Sequence, residues 1–111
     1  MALGFSQPAA AQQRERVVPL GGLFPLSGSW STQAQTLKAA MELAVDDVNR
    51  YLKGNAAGIR FTVLIEDTRL EPALALEKAR LLRRRGVQLI IGPQSSAEVA
   101  HLKSFVDANG I

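Results

Sequence analysis

The chain is 111 residues long, 47% apolar and carries a formal net charge of +3, which suits one small domain with a packed core and excludes wholesale disorder. It has no cysteine and a single histidine, His101, so disulfides, thiolate metal sites, a thiol nucleophile and a lipid-modified N-terminal cysteine are all excluded. No apolar run approaches the roughly 20 residues of a membrane helix. Aromatic residues are scarce, and none interleaves with the basic run at Arg80, Arg83, Arg84 and Arg85, so a base-stacking nucleic-acid surface has weak support.

The opening "MALGFSQPAAAQQRER" has a short apolar start and then Ala9-Ala10-Ala11, which fits the small-x-small rule for a signal-peptidase cut after Ala11. No positive residue precedes Arg14, and the apolar stretch is short. It reads either as the tail end of an export signal or as a plain N-terminal tail; in both cases residues 1–16 are expected outside the fold, which then spans 17–111. Val17 to Phe24, "VVPLGGLF", is a first strand, in which Pro19 belongs near the strand's start or on an unpaired edge because it has no N–H to donate. A loop of turn formers, Pro25 to Gln33, follows.

From Thr32 to Leu52 the apolar residues Leu37, Met41, Ala44, Val48 and Leu52 recur at helical spacing and predict a buried stripe. Lys38 with Glu42 and Asp46 with Arg50 stand four apart on its other faces, as exposed helix pairs do. "KGNAAG" ends this helix. Phe61 to Glu66 is a second strand, and "DTRLEP" leads into a second helix with Pro72 at its first position. Ala75, Leu76, Ala79 and Leu82 form its stripe, and Gly86 stops it after arginines that complement the negative helix end. "QLIIG" is a third strand, and a third helix runs from Ala97 to Asn109 with Val99, Leu102 and Val106 facing inward. Apolar strands alternating with amphipathic helices imply an α/β fold: a three-layer α-β-α sandwich, a doubly wound parallel sheet in βαβαβα order, with strand order 2-1-3. Three such strands are few, and Gly110-Ile111 reads as the approach to a fourth, so an incomplete lobe of a larger protein is expected.

In open sheets of this kind ligands collect beyond the carboxyl ends of the strands. Three loops should meet there: Pro25 to Gln33, Asp67 to Glu71, and Gly92 to Ser96. They carry hydroxyls, amides and one tryptophan, with few charges, which suits recognition of a small polar molecule better than bond-breaking. Ser95-Ser96-Ala97-Glu98 fits a capping box, a structural role complete in itself. The unpaired N–H groups of the same helix start, with the Ser96 hydroxyl, would equally hold a carboxylate.

Taken together, "PLSG" ending the first strand, "MELAVDDVN" in the first helix, the acidic exit of the second strand leading to Pro72, and "IIGPQSS" resemble the first lobe of type I periplasmic binding proteins, in particular the leucine/isoleucine/valine-binding receptors of ABC importers. The resemblance covers Val17 to Ile111. It implies a two-lobed, non-enzymatic receptor without cofactor or metal, exported to the periplasm, that closes on an amino acid or similar small carboxylate and presents it to an ABC permease. It also implies that Ser96 holds the solute's carboxylate, that Ser95 and Gln94 line the pocket wall, and that the loop bearing Ser27, Trp30 and Gln33 faces the solute. Gln33 falls near a position where some members carry an aromatic residue, which leaves the side-chain pocket undefined, and Glu71 stands where many have Asp, a better helix cap.

Other readings of these residues are weaker. "GGLFPLSG" fits neither phosphate-binding template. A small α/β nucleotide- or cofactor-binding enzyme domain using the same crevice is the alternative. Asp67 is better explained as a loop or capping acid than as a metal ligand, and Asp46-Asp47 point in different directions on a helix. His101 and Ser104 have no backing acid, Trp30 is as well explained as a loop anchor as by stacking on a ligand, and the arginine run is a solvated helix end before it is a patch for the importer. A lone half-clamshell leaves one strand edge unpaired, so self-association through that edge is expected.

Overall fold

The computed structural model describes residues 14–111, so the Ala9-Ala10-Ala11 motif lies outside the described residues. Six elements follow in chain order: β1 (Arg16–Phe24), α1 (Ser31–Gly54), β2 (Ile59–Asp67), α2 (Pro72–Arg84), β3 (Ile90–Ile91) and α3 (Ser96–Asn109). The strands form one parallel sheet in the order β2-β1-β3, as the alternation of strand and helix predicts. The first strand opens at Arg16, one residue before Val17; the Arg16 N–H donates to the Gly58 carbonyl and Glu15 pairs with Arg60 at 2.8 Å.

β1 is the central strand, and its alternating side chains feed two separate cores. Leu23 packs with Ala75, Ala79, Leu82, Val87 and Leu102 under α2 and α3, whereas Phe24 packs with Ala34 and Met41 under α1. Between these faces stand Gly21 and Gly22. A methyl group on Gly21 would meet Val87 at 2.9 Å and Leu82 at 3.0 Å, and one on Gly22 would meet Ile65 and Phe24 at 3.0 Å. Both layers therefore press onto the strand at this level. The Glu66–Lys78 ion pair, 3.0 Å and half-buried, adds a tie between β2 and α2, and Arg80 lies 5.8 Å over the Phe105 ring.

Pro19 fixes how far the third strand reaches. The Gly21 N–H donates to the Leu89 carbonyl, so alternate N–H groups of β1 point toward β3. Two residues earlier on the same side stands Pro19, with nothing to donate. β3 accordingly pairs with β1 only at Gly21 and Gly22 and is two residues long, shorter than the "QLIIG" strand expected.

The helical stripes are partly corrected. In α2, Ala75, Ala79 and Leu82 are buried as expected. In α1 the buried positions are Ala34 and Met41, while Leu37 and Val48 are 41% and 45% exposed. In α3, Leu102 is buried but Val99 is 51% exposed, and Phe105 joins the core instead. The reason is coverage: α1 lies over β1 and β2, and the strip beside it, between α1 and β3, has no neighbour among the described residues. An apolar groove of about 370 Å³ runs there, with Met41, Val48, Phe61, Leu89 and Ile91 in its walls. The surface pair on α1 is Arg50 with Asp47, 3.1 Å, rather than with Asp46, and Lys38 and Glu42 form no ion pair among the described residues.

At Phe61 the outer edge of β2 is capped by a side chain. Asn49 of α1 donates to the Phe61 carbonyl at 2.8 Å and accepts the Phe61 N–H at 2.7 Å, doing for that residue what a neighbouring strand would do. Replacing Asn49 by Ala removes both bonds at a half-buried site and is expected to lower stability by about 1–3 kcal/mol, read from urea unfolding, with increased self-association by sedimentation velocity.

Candidate functional site

Parallel pairing brings the three carboxyl ends of the strands to one edge of the sheet. Phe24 is the register partner of Asp67, and Gly22 that of Ile91, so the chain leaves β1, β2 and β3 at nearly the same level. The first and third exits touch directly. Gly92 has φ +101°, and a Cβ there would sit 2.2 Å from the Leu23 carbonyl oxygen, so only glycine allows this approach.

The first and second exits are joined by Asp67. Its carboxylate accepts the Leu26 N–H (2.8 Å), the Ser27 hydroxyl (2.7 Å) and the Arg69 N–H (2.9 Å). The Thr68 N–H donates to the Phe24 carbonyl at 3.0 Å beside them. Partial burial pushes the Asp67 carboxyl up, but the Ser27 hydroxyl and the N–H groups of Arg69, Leu26 and Ser27 outweigh it and hold it below its ordinary value. Beyond it the backbone is strained: Arg69 and Leu70 have φ +52° and +62°, a left-handed conformation that costs a side-chain-bearing residue about 1–2 kcal/mol. Asp67 takes the N–H of the first and the Thr68 hydroxyl that of the second. Asp67 is thus a loop acid, and no cluster of metal-ligating side chains occurs among the described residues.

At the third exit the capping box forms in full. Ser95 Oγ accepts the Glu98 N–H at 3.2 Å, and Glu98 Oε2 accepts the Ser95 N–H at 3.1 Å and the Ser95 hydroxyl at 2.7 Å. Glu98 is wholly buried, a placement that the sequence motif does not specify. Glu98 Oε1 and Gln94 Oε1 are both buried without a protein partner. The box uses the N–H groups of Ser95 and Glu98 and leaves those of Ser96 and Ala97 without a partner among the described residues.

The residues predicted from sequence therefore divide. Ser96 opens α3 with its side chain exposed, Ser95 is half-buried with its hydroxyl committed to Glu98, and Gln94 is half-buried. Across the tips, Ser27 is exposed but gives its proton to Asp67, Trp30 is 40% exposed at the N-cap position of α1, and Gln33 is exposed in the first turn of α1. Neither α1 nor α2 has a side-chain cap or an acid in its first turn, and the acid nearest the start of α2 is its N-cap residue Glu71, whose side chain makes no capping bond. For α2 this matches the expectation from Glu71. The arrangement offers donors and positive helix poles and no paired nucleophile and base; His101 is exposed on α3. The furrow of about 440 Å³ between α1 and the outer edge of β2, lined by Glu42, Asp46, Asn49 and Arg60, lies along the sheet's flank and not at the strand tips.

Comparison with known proteins places these features in context. A family described as periplasmic binding protein matches residues 17–111. An uncharacterized protein of Methanocaldococcus jannaschii is 32% identical over 98 residues, which are 88% of this chain and 24% of that one. The branched-chain amino acid transporter substrate-binding protein LivJ of Streptococcus pneumoniae, solved with isoleucine, superposes with a TM-score of 0.72 at 25% identity over 86% of this chain and 27% of its own. A fatty acid ABC transporter substrate-binding protein of Thermomonospora curvata shares the fold, with a TM-score of 0.75 at 20% identity over 85% of this chain and 23% of its own. The chain thus spans about a quarter of the length of the proteins it matches.

Two measurements check this geometry. Because the Asp67 carboxyl is lowered in the fold, its contribution is full above the unfolded aspartate range, about pH 4, and is lost as pH falls through the folded value. Stability measured across the acid range should therefore fall less steeply in Asp67→Asn than in the parent. Ser95→Ala should cost about 1 kcal/mol in thermal or urea unfolding, while Ser96→Ala leaves stability nearly unchanged.

Proposed function

Because the chain belongs to the periplasmic binding protein family, we propose that it forms the first part of the N-terminal lobe of an exported solute receptor. That receptor is a substrate-binding protein of an ABC importer, working in the periplasm or outside the cell. It captures an amino acid or similar small carboxylate and hands it to a membrane permease. The chain has no chemistry of its own in this reading, and needs no cofactor and no nucleic acid.

The observation that carries the reading is the start of α3. The cap there is supplied by Ser95 and Glu98, which leaves the Ser96 hydroxyl exposed beside the unpartnered N–H groups of Ser96 and Ala97. A carboxylate seated on them accepts charge-assisted hydrogen bonds and meets the positive pole of a 14-residue helix. Ser27, Trp30 and Gln33 form the facing rim, with Gln94 and Ser95 as wall. Closure of a second lobe would exclude water and strengthen these contacts. The donors for the solute's amine and side chain then come from the rest of the receptor. By itself the chain exposes the outer edge of β3 and the apolar groove beside it, and it self-associates through them.

The test is titration with L-isoleucine and, separately, octanoate, followed by amide chemical shifts. The expected result is weak binding in the millimolar range, with shifts centred on Ser96 and Ala97 that disappear in Ser96→Ala. In a receptor carrying the whole lobe pair, Ser96→Ala should weaken binding by about 1.5–3 kcal/mol, the loss of a hydrogen bond to a charged group. Unchanged affinity there would reduce Ser96 to a helix start. Response to nucleotides or flavins, and to neither carboxylate, would replace the receptor by a cofactor-binding domain.

A further inference from the structure

Resting on the solute-seat reading, we infer that Asp67 is the positioning residue of that seat, the group that holds the Ser27–Trp30 rim in place to face the start of α3. Packing anchors the start of this loop, with Pro25 fully buried and Leu26 against the Phe24 core, but Ser27 to Trp30 are exposed. Beyond Phe24, whose carbonyl takes the Thr68 N–H, the backbone bonds of this segment are local: Leu26 N–H to Phe24 carbonyl, 2.9 Å, Ser31 N–H to Gly28 carbonyl, 3.1 Å, and Ala34 N–H to Trp30 carbonyl, 3.0 Å. The other side-chain tie is a long one, from Gln35 Nε2 to the Leu26 carbonyl at 3.5 Å. Against these, Asp67 accepts from Leu26 and Ser27 at 2.8 and 2.7 Å, from a strand that is itself locked to β1 along nine register pairs.

Two consequences make this more than a loop contact. First, the Ser27 hydroxyl proton is spent on Asp67 Oδ2, so toward a solute Ser27 can only accept. Asp67 thereby decides the hydrogen-bonding character of the rim, while α3 supplies donors. Second, the same carboxylate takes the N–H of Arg69, the first of two successive left-handed residues. Strain of this kind persists only where the surroundings over-determine it. One side chain therefore sets the conformation of two of the three loops at the strand tips.

The experiment compares the parent chain with Asp67→Asn, Ser27→Ala and Ser27→Thr by amide hydrogen exchange and by the isoleucine titration. Asp67→Asn is expected to speed exchange of the Leu26 and Arg69 amides by about tenfold or more, the loss of a hydrogen bond to a charged acceptor, with core amides such as Leu23 little changed. It should also abolish isoleucine-induced shifts at Gly28 to Trp30 and retain those at Ser96 and Ala97. Ser27→Ala should reproduce the loss at the rim and Ser27→Thr, which keeps the hydroxyl, should restore it; these two variants carry the test if Asp67→Asn does not fold. Unchanged exchange at Leu26 and Arg69, or rim shifts that survive in both Asp67→Asn and Ser27→Ala, overturns the assignment. A parent chain without any isoleucine response, but with the exchange change in Asp67→Asn, overturns the solute seat and leaves Asp67 as a loop clamp only.

Discussion

The parallel register of β1 with both neighbours is the constraint on which the other features depend. Because Phe24 lies opposite Asp67 and Gly22 opposite Ile91, the three strands finish together, and the exits of β2 and β3 each meet that of the central strand. A slip of one residue would turn every side chain of a strand to the other face. It would move Leu23 out of the core beneath α2 and α3, and Phe24 out of the core beneath α1. The two hydrophobic faces of β1 thus lock the alignment that brings Asp67, Ser27 and the start of α3 to one edge. Burial chooses the register, and the register assembles the site.

At that edge the same residues serve local structure and ligand geometry without competing. A serine pair at a helix start divides the work: the first closes the helix with Glu98, and the second keeps a free hydroxyl. Had one serine done both, a bound anion would have had to displace the cap. Burying Glu98 completely commits its Oε2 to Ser95 and keeps the acid itself off the exposed surface where an anion would sit. The cap is thus complete within Ser95 and Glu98, and the Ser96 hydroxyl and the N–H groups of Ser96 and Ala97 stay outside it.

Much of this was legible in the sequence, for reasons that particular residues make clear. The order of strands and helices follows from apolar runs and helical spacing, and the capping box follows from Ser95 and Glu98 three residues apart, since both signals are local. What the sequence did not disclose was coverage and distance. Leu37, Val48 and Val99 sit at positions whose spacing marks them as apolar, but spacing does not say whether a neighbour lies over them. Asn49 meets Phe61 across 12 residues, and Asp67 meets Ser27 across 40, so neither pairing leaves a local pattern. Asp67 could be recognised as a loop acid, but not as the tie between two loops.

Pro19 gives the sheet an uneven plan. By ending the bonding to β3 below Gly21, it makes the sheet two strands wide over most of its length and three strands wide only near the tips. Bending stiffness in a sheet comes from cross-bonded neighbours, so the broad end resists distortion and the narrow end yields. Backbone hydrogen bonds at the base, where β1 has one neighbouring strand, should therefore open more readily than those beside the loops, where it has two.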